Sequence, residues 1–148
     1  MNSSIKLLTL AGVLCAGLLT IQAAETKRLA GPKGGRLLET ISPRAEFFLE
    51  KDHTATITFY DSALKPVPVA DQAVTVIADG KGGKQKTEFE KKGDVLASKG
   101  QLPEGDGYSL VVLFKEKADA RPQNFRFKLD THTCKTCQRA EYACTCDE

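Results

Sequence analysis

Along much of the chain, apolar and polar residues alternate one by one, a period of two that places successive side chains on opposite faces of a sheet. Across residues 54–59, Ala55, Ile57 and Phe59 face one way and three threonines face the other. Ala45, Phe47 and Leu49 alternate with Glu46, Phe48 and Glu50, where only Phe48 breaks the pattern, and Phe125, Phe127 and Leu129 alternate with Asn124, Arg126 and Lys128. Further strands are predicted over residues 37–41, 73–78, 86–90, 95–97 and 108–114. The last is more continuously apolar, which predicts a central strand covered on both faces. Between these segments lie turn-forming clusters of Gly, Pro, Asp and Lys, and no ten-residue stretch carries a capped helical stripe. Seven or eight short strands at intervals of about ten residues predict an all-β domain. The expected architecture is an immunoglobulin-like antiparallel β-sandwich of about seven strands over residues 25–130, with a small closed barrel as the second choice. The chain has no Trp, and residues 25–133 have no Cys, so such a core stands on packing alone.

The N-terminus follows a different pattern. A weakly positive start ending at Lys6 precedes a fifteen-residue apolar run over residues 7–21, then Gln22-Ala23-Ala24 and the charged Glu25-Thr26-Lys27-Arg28. This is the pattern of a secretory signal peptide over residues 1–24, cleaved near Ala23 or Ala24. The run is shorter than a membrane span needs and is interrupted by Gly12 and Gly17, so no stable membrane insertion is expected after cleavage. Cys15 lies within the run. Gly12-Val13-Leu14 fits a lipoprotein signal poorly, so Cys15 is expected to leave with the leader. The implied location is periplasmic or secreted.

The length of 148 residues allows one domain, and 41% hydrophobic with 27% charged residues is ordinary for a folded chain. The formal charge is +2, and removing Lys6 with the leader leaves +1. That is too little to hold a phosphate backbone, so nucleic acid is not an expected partner. Gly-x-Ser-x-Gly and His-Glu-x-x-His are absent, and there are only two histidines, so no enzyme is expected.

The chemistry concentrates at the C-terminus, in an irregular Cys-rich tail over residues 131–148. Alternation stops at Asp130, and beyond it only Ala140, Tyr142 and Ala143 are apolar apart from cysteine. Eighteen such residues are not expected to fold by burial and call for a cross-link. Cys134-Lys135-Thr136-Cys137 and Cys144-Thr145-Cys146 supply the means in the pattern C-x2-C-x6-C-x-C. A CxxC turn converges two thiolates on one side of a tight loop, and a CxC places two sulfurs on one side of an extended segment. Folding back at residues 138–143 would gather four soft donors around one Zn(II) or Cu(I) per chain, with an apo tail that is mobile. His132 is an optional further donor, while Asp147 and Glu148 are hard ligands expected to stay solvated. The competing reading is two disulfides, natural for an exported chain. A thioredoxin-like dithiol lacks its βαβ setting, and covalent haem attachment fails because position 138 is Gln rather than His.

Other signals are weaker. Gly31-Pro32-Lys33-Gly34-Gly35-Arg36 lacks a preceding strand and a following Lys-Ser or Lys-Thr pair, so it is a turn rather than a phosphate cradle. His53 is expected to be a turn histidine in water, and the lysines of residues 81–92, interleaved with Glu88 and Glu90, a solvated strand face.

Residues 31–39 (GPKGGRLLE), Glu46-Phe47-Phe48-Leu49, Ile57-Thr58-Phe59-Tyr60-Asp61 and Lys65-Pro66-Val67 resemble small exported bacterial proteins linked to heavy-metal efflux. These in turn resemble N-terminal domains of the periplasmic adaptor subunits of resistance-nodulation-division pumps. The likeness spans about residues 30–130. It implies a periplasmic β-sandwich that handles transition metals, with efflux-pump subunits as possible partners. Members often carry His at the position of Lys33, which shifts metal binding here to the tail. The resulting expectation is an exported metal-buffering or delivery protein. The alternative is an envelope interaction module whose end is secured by two disulfides.

Overall fold

The computed structural model describes residues 28–146. The leader expected over residues 1–24, Cys15, and the terminal Asp147 and Glu148 lie outside them. Nine strands follow in chain order: β1 Arg36–Leu38, β2 Arg44–Leu49, β3 Ala55–Tyr60, β4 Pro66–Val67, β5 Ala73–Gly80, β6 Gly83–Lys92, β7 Val95–Ser98, β8 Tyr108–Lys115 and β9 Gln123–Leu129. A single 3-10 turn, Glu141–Ala143, is the one helical element among the described residues. No helix there is long and apolar enough to cross a membrane. All-β character and the strand positions agree with the alternation of the sequence. β4 falls in what reads as a turn, and β1 is shorter than the apolar pattern predicts.

All pairings between named strands are antiparallel, and the order is β1-β2-β3-β7-β6-β5-β8-β9, with β4 added beside β3. The two face-to-face layers expected from the sequence are joined, because hydrogen bonding runs continuously through β6. Its first residues pair with β5, from Gly80↔Gly83 to Thr75↔Glu88. Its last four, Phe89 to Lys92, pair with β7. Of this ten-residue strand only Thr87 is buried, so little apolar packing ties it to one layer. The sheet therefore curls until its halves face one another, close to a barrel but with β1 and β9 unpaired to each other.

The core fills the space between the halves. Phe47 and Phe59 come from one side, Phe114 and Phe127 from the other. Phe47 meets Phe127 edge-on at 5.5 Å between centroids, and Phe59 meets Phe114 at 6.0 Å. β8 is central, as its apolar run predicts, but only Tyr108, Leu110, Val112 and Phe114 are buried, while Val111 and Leu113 are half-covered.

Two polar residues on the outward face of the alternating strands are covered rather than solvated. Thr58 is buried, and Glu46 is 0% exposed. The Glu46 carboxylate accepts hydrogen bonds from the backbone N–H of Lys33 (3.0 and 3.1 Å) and Gly35 (2.7 Å), and from the Tyr60 hydroxyl (2.7 Å). Residues 31–35 thus form a turn into β1, as expected, wrapped around a carboxylate of the same chain. A Cβ on Gly31 would collide with that carboxylate, and one on Gly35 with the Phe47 carbonyl, which explains both glycines. Tyr60, removed from water and bonded to Glu46, is held in its neutral phenol form, its pKa raised. A buried carboxylate is costly unless every lone pair is used, and this one has three donors.

Replacing Glu46 with Ala strands those donors. The expected loss is about 3 kcal/mol or more by urea denaturation, with Glu46→Gln falling in between because the amide retains one acceptor oxygen.

Candidate metal centre

After β9 the chain does not trail into an irregular tail. The Asp130 carbonyl accepts the Tyr142 N–H at 2.9 Å, and the His132 carbonyl accepts the Glu141 N–H at 2.8 Å. A bridge pairs Thr133 with Ala140. At the tip of this hairpin, Cys134 N–H donates to the Arg139 carbonyl (2.7 Å) and Gln138 N–H to the Cys134 carbonyl (2.9 Å), closing a tight loop around the CxxC. Gln138 turns the chain with φ of 60°, in the left-handed region, and its amide Nε2 donates to the Lys135 carbonyl at 2.9 Å. The 3-10 turn Glu141–Ala143 then reverses the chain and returns Cys144 and Cys146 to the same loop.

The four sulfurs converge. Sγ–Sγ separations are 3.4 Å for Cys134 and Cys144, 3.7 Å for Cys137 and Cys144, and 3.9 Å for Cys134 and Cys146. All four lie within 4.8 Å of one another. A tetrahedron with metal–sulfur bonds of about 2.3 Å has edges of about 3.8 Å. A disulfide requires about 2.05 Å, and all four thiols are unbonded. The donor set therefore suits a tetrahedral thiophilic ion, with every separation within about 1 Å of the ideal edge. Cys134 is buried and the other three are half-buried, so the centre lies at the surface with one sulfur rooted inward.

The local field prepares the set unevenly. Backbone N–H groups of Arg139 and Thr145 point at the Cys137 sulfur and lower its pKa to about 6. Cys146 is pushed up to about 12, first because its thiol bonds the Cys144 sulfur and then by burial. One thiolate is thus favoured without a cation, while a full set of four negative sulfurs this close is not. A bound divalent ion reverses that preference, since coordination deprotonates thiols outright.

His132 is placed elsewhere. Its ring is 79% exposed, with Nδ1 at 2.8 Å from Asp106 and 2.9 Å from Asp130. The hydrogen bond to Asp130 and the charge of Asp106 raise its pKa. It joins the loop before β8 to the root of the hairpin, and the sulfur cluster comprises the four cysteines alone. His53 lies in a turn, its carbonyl accepting the Leu102 N–H.

The premise that the tail lacks enough apolar surface to take shape is corrected by Tyr142. This residue is 5% exposed and belongs to the main core with Ala143. Its ring meets Phe47 edge-on at 5.9 Å and stacks on Phe127 at 6.4 Å. Its hydroxyl accepts the Leu49 N–H at 3.2 Å, and its carbonyl accepts from Arg36 Nη1 at 3.2 Å. The Arg36 guanidinium itself lies over the Phe127 ring at 4.8 Å. Tyr142 thus stands where β1 and β9 fail to pair, and it fastens the hairpin to the core. Its position within the C-x6-C spacer was the only sign in the sequence, and nothing in the local pattern separates it from a solvated tyrosine.

Tyr142→Ala is expected to cost about 3–5 kcal/mol in denaturation and to weaken metal binding by freeing the hairpin. Tyr142→Phe, which loses one hydrogen bond, is expected to cost about 1 kcal/mol and to retain the metal. Comparison of the chain with protein-family models, with curated proteins and with solved structures finds no match.

Proposed function

We propose that this chain is an exported, non-enzymatic carrier of one soft transition-metal ion, held by Cys134, Cys137, Cys144 and Cys146. The observation that carries the reading is the convergence of four unbonded sulfurs at tetrahedral spacing. Soft thiolates take Zn(II) or Cu(I), and a four-sulfur tetrahedral set makes Zn(II) the first choice. A catalytic zinc keeps an open coordination position, whereas four thiolates fill a tetrahedron, which supports a holding role over a reaction. Three half-buried sulfurs keep the ion close to solvent, where a second ligand can reach it.

The ladder order supports an immunoglobulin-like reading of the scaffold, with β2-β3-β7-β6 facing β6-β5-β8-β9. A periplasmic or secreted location, and buffering or delivery near a heavy-metal efflux pump, rest on the leader pattern of residues 1–24 and on the resemblance across residues 30–130.

Protein purified without reductant or chelator is expected to carry one zinc or copper per chain by elemental analysis, and the Cys144→Ser, Cys146→Ser double variant none. Zinc affinity is expected to fall with acid, by about tenfold or more per pH unit, because bound sulfur must shed its proton. Intact mass showing two disulfides, together with no metal, would overturn this reading in favour of an interaction module.

A further inference from the structure

The open side of the sheet carries a second feature. Among the described residues, β9 is paired on one edge only, to β8, and the outer edge of β1 is met by a single bridge, Ala30 to Arg36. Between them lies a cleft of about 470 Å³ whose lining includes Arg28, Leu29, Arg36, Phe125, Arg126 and Cys144. The same three arginines line an adjoining cleft of about 530 Å³ that continues past Lys128. Among the described residues none of the three has a carboxylate within ion-pair distance. The one acid in the first cleft, Glu39, accepts the Leu29 N–H. At the far end of the second lie two acids, Asp130, which is engaged by His132, and Glu141, so the arginines and Lys128 outnumber the acids of that cleft four to two. Leu29, 42% exposed, is the exposed large hydrophobic residue of the described chain, and half-buried Phe125 adds apolar surface.

An unpaired strand edge offers a row of N–H and C=O groups to another extended chain. Guanidinium groups select carboxylates through paired, charge-assisted hydrogen bonds. Together these features define the occupant by chemistry. We propose that the open edge of β9 is a docking site for an extended acidic segment of a partner protein, with carboxylates alternating with apolar side chains. The backbone pairs with β9, the carboxylates meet Arg28, Arg36 and Arg126, and the apolar side chains cover Leu29 and Phe125. Because Cys144 lines the same cleft, the docked segment ends beside the sulfur cluster. The docking stands on the edge and the charges, and it goes beyond the metal reading without depending on it.

The test uses the full chain and a blocked, fluorescent nine-residue peptide alternating Glu and Val. Controls are the same peptide with Lys for Glu, and one N-methylated at alternate residues to remove its backbone donors. Binding is read by anisotropy and located by amide hydrogen exchange. The Glu-Val peptide is expected to bind, to protect amides of Gln123–Leu129, and to weaken at least tenfold in the Arg28→Glu, Arg126→Glu variant, whose two sites are exposed and outside the core. Both control peptides are expected to fail. Equal binding of the Lys peptide, or protection on another strand of the unmodified chain, would overturn the proposal. So would a dimer split by Arg126→Glu, which assigns the edge to a second copy, or peptide binding that appears only once the residues before Arg28 are removed, which assigns it to this chain's own N-terminal segment. Zinc content, measured alongside, is expected to be the same in the variant and the original chain, which separates this result from the fate of the metal reading.

Discussion

The ring of Tyr142 between Phe47 and Phe127 joins the two parts of this molecule. On one side lies a curled antiparallel sheet whose first and last long-path strands do not meet, and on the other a hairpin that carries the sulfurs. A short polar segment does not hold a fixed geometry by itself, because ordering each residue costs about 1–2 kcal/mol of backbone entropy. One aromatic residue in the core, with its side-chain hydroxyl and its backbone carbonyl and N–H all bonded, offsets part of that cost at the point where the chain must turn. The spacing of the thiols follows from this anchor. Cys144 comes two residues after Tyr142, and its N–H closes on the Glu141 carbonyl, so the CxC segment leaves the core already aimed at the CxxC loop.

A second buried polar contact works in the opposite direction, fixing a loop to the sheet rather than a tail to the core. Glu46 sits on a strand with its side chain on the face away from the core, and the glycine-rich turn at residues 31–35 closes over its carboxylate with backbone donors. That turn leads into β1, whose Arg36 reaches the Tyr142 carbonyl and covers the Phe127 ring. The carboxylate, the turn, the arginine and the tyrosine therefore form one connected path from the middle of β2 to the root of the cysteine hairpin. Gly31 and Gly35 are required along it because the backbone approaches too closely for a side chain.

The exposure of the sulfur cluster and the openness of the neighbouring edge have one origin. A sheet that closed fully would pair β1 with β9 and leave no place for Tyr142. Because it stays open, the hairpin can plug one end of the gap, while the other end keeps backbone unpaired and three arginines without carboxylate partners among the described residues. The sulfur cluster and the open edge thus share one seam of the fold.

Period-two alternation by itself determined the all-β class and nearly every strand, because burial on one face of a sheet imposes that period directly on the chain. The cysteine spacing likewise determined that two pairs of sulfurs would be near neighbours, since CxxC and CxC are local geometries. Only the tertiary structure decided the rest. Alternation reports which residues share a face, not what covers that face, so Glu46 and Thr58 read as solvated until the glycine turn and the neighbouring strands are in place. It is equally silent on whether two layers are separate or joined through a bending strand such as β6. Tyr142 and His132 exchanged their expected importance for the same reason. A tyrosine in a polar tail becomes structural only when a gap of its size opens between β1 and β9. A histidine two residues from a cysteine stands apart from the sulfur cluster once Asp106, far away in the chain, is brought beside it.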